Sequence, residues 1–237
     1  MFLSVRSALA GLAVLCAVPA QAALINSYDF TSGYSDTLGN GNDLQSFGGA
    51  VANGVYSFGP GQGLKLTNAL ANTASYGIEF GLTVSDFGGG AFDKLVDFQN
   101  RATDQGFYLD GQKLRFYSYA ATSGQVDAGQ SVVIGLERKN DQFRFFLNNQ
   151  EIASGIVDAN DWGISSANIL HFFMDDTRQG TETFAGSSDF IRIHDDASTF
   201  GQGPLVNQPA PVPLPAALPL LVAGLGALGL VRARRRA

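Results

Sequence analysis

The groups in this chain that could do chemistry are chiefly carboxylates, and their spacing limits what they could do. The four glutamates, Glu79, Glu137, Glu151 and Glu182, stand far apart, and no Glu-x-Asp-x-Glu run exists. A glycosidase needs two carboxyl groups facing each other across a glycosidic bond, about 5–5.5 Å apart for retention of configuration. The pairs Asp175-Asp176 and Asp195-Asp196 do not supply this, because adjacent strand residues point to opposite faces. Two histidines, His171 and His194, are available as a base. Both fall within strand patterns, and no Gly-x-Ser-x-Gly turn accompanies them. No His/Cys spacing fits zinc, and Gly59-Pro60-Gly61-Gln62-Gly63 reads as a turn between strands rather than a phosphate loop. No catalytic residue is predicted.

Calcium is the one cofactor the sequence leaves open. It takes six to eight hard oxygen ligands, usually from irregular loops. Asp36, Asn40, Asn42 and Asp43 form one candidate set, and Asp175, Asp176 and Asp189 another. Neither has EF-hand spacing, and the favoured reading of these residues is as Asx-turn formers that need no ion. A carbohydrate site needs an exposed aromatic platform beside polar groups. Tyr117 and Tyr119 share one strand face and Trp162 lies in a polar loop, so these three are the candidates, with a core or rim role as the alternative.

These groups must be positioned by a single domain of ordinary size, or at most two small ones. The chain has 237 residues, 45% hydrophobic and only 15% charged, with 29 Gly, 18 Phe and 7 Tyr. That is enough apolar material for a core and excludes wholesale disorder. High glycine and many aromatics favour strands and turns over helices. All 21 acidic residues lie between Asp29 and Asp196, whereas five of the 15 basic residues lie in the terminal apolar segments. The middle is therefore strongly acidic and repels phosphate backbones, which argues against nucleic acid as a partner.

Both ends read as addresses. Residues 1–22 have a short positive start, an apolar run and Ala20-Gln21-Ala22, the pattern of a secretory signal peptide cut after Ala22. Cys16 follows Leu15 rather than a small residue, so a lipoprotein site is not indicated, and cleavage would remove the only cysteine. At the other end, residues 199–211 read as a flexible linker. Val212-Pro213-Leu214-Pro215-Ala216 follows, then an apolar run to Val231 and the basic residues Arg232, Arg234, Arg235 and Arg236. The 16 residues from Ala216 to Val231 would span about 24 Å as a single hydrophobic helix. That is somewhat less than the roughly 30 Å hydrocarbon core, a gap that Leu214 and snorkelling arginines would close, with the arginines held on the cytoplasmic side.

Strand signals divide residues 23–198 at intervals of about ten residues, as an antiparallel β-sandwich requires. Lys113 to Tyr119 alternates, with Leu114 and Phe116 on one face and Arg115, Tyr117 and Tyr119 on the other. It is joined to the 105–109 strand through Asp110-Gly111, a pair suited to a type I′ turn. Residues 142–147 run through Asn148-Asn149 into 150–154 as a second hairpin. The 131–138 segment puts Val132, Ile134 and Leu136 on one face, 51–58 reads as one strand, and 169–175 and 190–194 read as late strands. The fold class predicted is all-β.

The tail, with its motif, apolar helix and arginine cluster in that order, resembles the PEP-CTERM sorting signal in a Val-Pro-Leu-Pro-Ala variant. Leu214 stands where glutamate is usual. The resemblance implies processing by signal peptidase and an exosortase after transient inner-membrane insertion, in a Gram-negative, exopolysaccharide-making bacterium. The destination implied is the cell surface or extracellular matrix. The middle, from Tyr28-Asp29-Phe30 through the 36–43 loop to Asp189-Phe190-Ile191-Arg192-Ile193, is similar to the laminin-G-like, concanavalin-A-like jelly roll. Ser131-Val132-Val133 stands where that family often has a tryptophan-histidine pair. The expectation that follows is a non-catalytic module binding an exopolysaccharide or another surface glycan. The alternatives are a glycan-active enzyme of the same fold and a purely structural biofilm-matrix protein.

Overall fold

The computed structural model describes residues 23–117, 124–156, 163–177 and 180–196. The expected signal peptide with its cleavage at Ala22, the linker, the 212–216 motif, the apolar helix and the arginine cluster all lie outside the described residues, as do Tyr119 and Trp162. Among the described residues the chain forms strands and no helix. One sheet contains β1 (Leu24–Tyr28), β3 (Ala50–Ala52), β4 (Val55–Phe58), β6 (Ser75–Asp86), β10 (Ser131–Lys139), β11 (Gln142–Leu147), β12 (Gln150–Ile156), β14 (Ala185–Ser188) and β15 (Ile191–His194). The other contains β2 (Gln45–Phe47), β5 (Gly63–Thr67), β7 (Phe92–Asp97), β8 (Gly106–Asp110), β9 (Lys113–Phe116) and β13 (Ile169–Phe172).

The nine-stranded sheet runs β12-β11-β10-β6-β14-β4-β3, with β15 bridging β6 and β1. The six-stranded sheet runs β2-β5-β13-β7-β8-β9. Chain neighbours often sit in different sheets, and the pairings are antiparallel, which makes this an all-β antiparallel sandwich of the jelly-roll kind. Alternation builds its interior. Tyr76, Ile78, Phe80, Leu82 and Val84 of β6 face inward, as do Val132, Ile134 and Leu136 of β10. Phe107 and Phe116 from the six-stranded sheet meet Phe145 from the nine-stranded one at ring distances of 5.0 and 5.2 Å. Each such side chain contributes about 1.5–3 kcal/mol by burial, and the ring pairs add roughly 0.5–1.5 kcal/mol.

Three turns refine the sequence reading. The 51–58 segment is two strands, because Asn53 and Gly54 take φ of 52° and 74° and fold it into a hairpin. In the β8–β9 hairpin Asp110 pairs with Lys113, so the left-handed pair is Gly111-Gln112 rather than Asp110-Gly111. The Asn148-Asn149 turn stands where expected. The late strand expected over 169–175 ends at Phe172. Phe173 has φ of 65°, and that twist lets both Phe172 and Phe173 enter the core.

Candidate functional site

The outer face of the six-stranded sheet carries the densest set of ionisable groups, and a β-bulge in β7 creates it. Val96 pairs with Phe107 and Lys94 with Tyr108, so Leu95 is an extra residue on the bulged strand. Leu95 and Val96 both enter the core. Lys94 and Asp97, which strict alternation would put on opposite faces, therefore share the outer one. Their side chains meet at 3.5 Å, and Lys94 is fully buried.

Lys94 Nζ lies 3.5 Å from Asp175 Oδ1 and 3.4 Å from Asp176 Oδ2, with the Tyr108 ring 5.1 Å away. Backbone donors hold these acids. Asp97 Oδ1 accepts from the Gln99 and Arg101 N–H groups, and Asp175 Oδ2 accepts from the Glu182 N–H. Arg101 Nε donates to the Asp175 carbonyl. Oxygens of Asp104, Asp176 and Glu182 lie within 4.8 Å of one another. Desolvation, then the charges of Asp175 and Asp104, push the Glu182 carboxyl up to about 7. Burial also raises Asp97, and burial followed by the Asp176 carboxylate raises Asp104. His171, on the Asp97 side of the cluster, is pushed down to about 4 by burial and by Arg101 and Lys65.

One exposed aromatic residue follows the edge strand β9. Tyr117 follows β9 on the side opposite Leu114 and Phe116, is 46% exposed, and donates its backbone N–H to Gly106. Gly106 in turn sits against Lys94 and Tyr108: a Cβ there would lie 3.4 Å from Lys94 Cε and 3.1 Å from the Tyr108 ring. Tyr108 pairs in register with Arg115, whose guanidinium lies over the Phe92 ring. Tyr117, Gly106 and Asp97 thus form one row across β9, β8 and β7, with β8 between the exposed tyrosine and the buried carboxylate. Such a face can stack against a flat apolar surface while accepting hydrogen bonds from hydroxyl groups.

The sequence-derived candidates separate here. Asp175 and Asp176 belong to the cluster, whereas exposed Asp189 lies on the other sheet, packed over Gly81. Three mutually close acids are half or less of a calcium shell of six to eight oxygens. The set Asp36, Asn40, Asn42 and Asp43 is organised otherwise. Asp36 is 7% exposed, and its carboxylate accepts from the N–H groups of Ser27, Leu38 and Asn40 and from Asn26 Nδ2. Asp43 Oδ1 accepts from the Asp36 N–H, Asn40 Nδ2 donates to the Ile25 carbonyl, and Asn42 Nδ2 donates to that of Asn68. These are Asx-type loop bonds, and they occupy the Asp36 lone pairs a metal would need.

Sequence reasoning missed Lys94, Asp97, Arg101, Asp104, Tyr108 and Glu182. The available signal was Phe92-Asp93-Lys94-Leu95-Val96-Asp97, where a lysine and an aspartate interrupt an apolar strand three residues apart. The isolated glutamates of the other sheet form ion pairs: Glu79 with Arg192 at 3.2 Å, and Glu137 and Glu151 with Arg144 at 3.2 and 2.6 Å.

No protein-family profile matches the chain, and no curated protein matches it in sequence. Solved structures match its fold. Domain 4 of AbnA, a GH43 extracellular arabinanase from Geobacillus stearothermophilus solved in complex with arabinotriose, superposes with a TM-score of 0.60 at 17% identity, covering 75% of this chain and 94% of that one. Trypanosoma rangeli sialidase in complex with sialic acid gives 0.58 at 12% identity over 75% of this chain, which spans 31% of the sialidase. The botulinum neurotoxin serotype D binding domain gives 0.53 at 8% identity, over 73% of this chain and 48% of that one.

Proposed function

We propose that the chain is a non-catalytic glycan-binding sandwich, exported and delivered to the cell surface or extracellular matrix by exosortase processing of its PEP-CTERM-like tail. The observation that carries the binding role is an exposed tyrosine, Tyr117, two strands across from Asp97 on the sheet face that carries the acidic cluster. Flat rings and hydrogen-bond acceptors together suit a sugar, which has an apolar C–H face and donor hydroxyls. Fold likeness to a domain solved with arabinotriose supports the reading. So do the ion pairs that engage Glu79, Glu137 and Glu151, leaving these carboxylates committed to arginines.

A glycan-cleaving enzyme is the second reading, and one observation favours it. A carboxyl group raised to about 7, as at Glu182, is poised as a general acid at neutral pH. Incubation of the full-length protein with the exopolysaccharide of the producing bacterium separates the readings. Saturable binding without new reducing ends, lost in Tyr117→Ala, is the expected result. Release of reducing ends would establish the enzyme, and neither binding nor release would leave a structural matrix protein. Intact mass of protein recovered from the native envelope tests export: the expected species lacks residues 1–22 and most of the chain from 212 onward, and a retained arginine tail on surface protein would sink the sorting reading.

A further inference from the structure

We propose that a cavity beside β1, away from the sheet face described above, is a second binding site, and that its ligand is a neutral saccharide. The cavity holds about 340 Å³ and is formed where the 36–43 loop, the end of β5 and the start of β13 approach β1. Ligand pockets commonly measure about 300–1,000 Å³ with apolar walls and a few placed polar groups, so its size fits one or two sugar rings. Ile25 and Leu70 supply apolar wall, and Asn26, Asn40, Asn42 and Asn68 supply the polar groups.

Three of these amides are held with the carbonyl end available. Asn26 Nδ2 is bound to Asp36, Asn40 Nδ2 to the Ile25 carbonyl, and Asn42 Nδ2 to the Asn68 carbonyl. Their Oδ1 atoms accept no hydrogen bond among the described residues, and the Asn68 side chain makes none at all there. The cavity therefore presents fixed acceptors to O–H donors, with apolar wall for a C–H face. Asn168 fixes that wall by bonding both the N–H and the carbonyl of Leu70 through its side-chain amide. Among the described residues that line the cavity none carries a charge, and the Asp36 carboxylate behind Asn26 disfavours anions. Neutral polyhydroxyl ligands are selected over acidic sugars on both counts.

Titration of the ¹⁵N-labelled full-length protein tests this, with maltotriose, cellotriose and arabinotriose as neutral probes and trigalacturonate as the anionic one. NMR follows the asparagine side-chain amides. At least one neutral trisaccharide is expected to move the Asn40, Asn42 or Asn68 signals, with trigalacturonate moving none. Asn68→Ala removes a side chain that makes no hydrogen bond among the described residues and is expected to weaken this binding about tenfold, as loss of a ligand hydrogen bond would. Ala71→Phe, at an exposed wall position, is expected to block the cavity, whereas Tyr117→Ala leaves the response intact. Silence from all three neutral probes, an equal response to trigalacturonate, or a response unchanged in both Asn68→Ala and Ala71→Phe would overturn the proposal. Loss of the response in Tyr117→Ala would assign it to the sheet face instead.

Discussion

The acid-rich face around Lys94 and the loop from Asp36 to Asp43 use nearly the same residue types, yet their carboxylates are stabilised in different ways. In the loop, one aspartate collects three backbone N–H donors and an amide, so its negative charge is spread over local dipoles. On the sheet face, three aspartates surround one buried ammonium at 3.4–3.5 Å, and Glu182 and Asp104 rise toward neutrality beside them. Backbone donors come with the fold and are fixed in place. A lone buried cation is a single point on which several desolvated charges depend. The loop's acids are thus spent on shape, and its amides are left to face a ligand. The sheet's acids remain chemically responsive.

Replacing Lys94 tests that dependence most severely. Lys94→Met keeps the apolar stem but leaves Asp97, Asp175 and Asp176 without their ammonium. Removing one partner of a buried ion pair costs about 3–5 kcal/mol. For a domain of this size that lowers the melting temperature by roughly 10 °C. Thermal melts at pH 8 measure it. A fall of less than about 2 °C would mean that the acids are already neutral or solvated, and the contrast with the loop would collapse.

Asp36→Ala should cost less, about 2 kcal/mol, because its four donors can turn partly to water once the loop loosens. Urea unfolding gives the value. The same loop also pairs with β1 through the Thr37 N–H to the Ser27 carbonyl, so exchange of the Thr37 amide should quicken in the variant. An effect as large as that of Lys94→Met would show the loop to be the main support of β1 rather than a trim to it.

What could be read from sequence follows from what is local. Alternation in 131–138 and 113–116 fixes which side chains enter the core, and Asn148-Asn149 demands its turn without help from distant residues. The Asn53-Gly54 hairpin was equally local, but apolar residues on both sides hid it within one apparent strand. The Lys94 cluster was not local. It needs a bulge that alternation does not announce, and it joins β7 to acids roughly 80 residues away in the chain. Asp189 shows the reverse: close in sequence to Asp176, it is carried to the other sheet by β14. Tyr117 was readable as an exposed face residue, while the carboxylates gathered around Lys94 depend on contacts distant in the chain.

A pH dependence isolates Glu182. Its carboxyl lies at about 7 in the folded protein against an ordinary 4.5, so folding favours the protonated form. The stability this contributes is fully present below about pH 4.5 and is lost as pH rises through about 7. Glu182→Gln is neutral at every pH and loses nothing over that interval. The variant should therefore melt close to wild type at pH 4.5 and above it at pH 8, with the gap opening between. His171 works in the opposite direction, since a value near 4 makes its contribution fall as pH drops from 6.5. It is present in both proteins, so its slope cancels in the difference. A gap that stays flat from pH 4.5 to 8 would show that Glu182 is not the weakened acid, with Asp93, pushed up to about 6 by burial, as the next group to substitute.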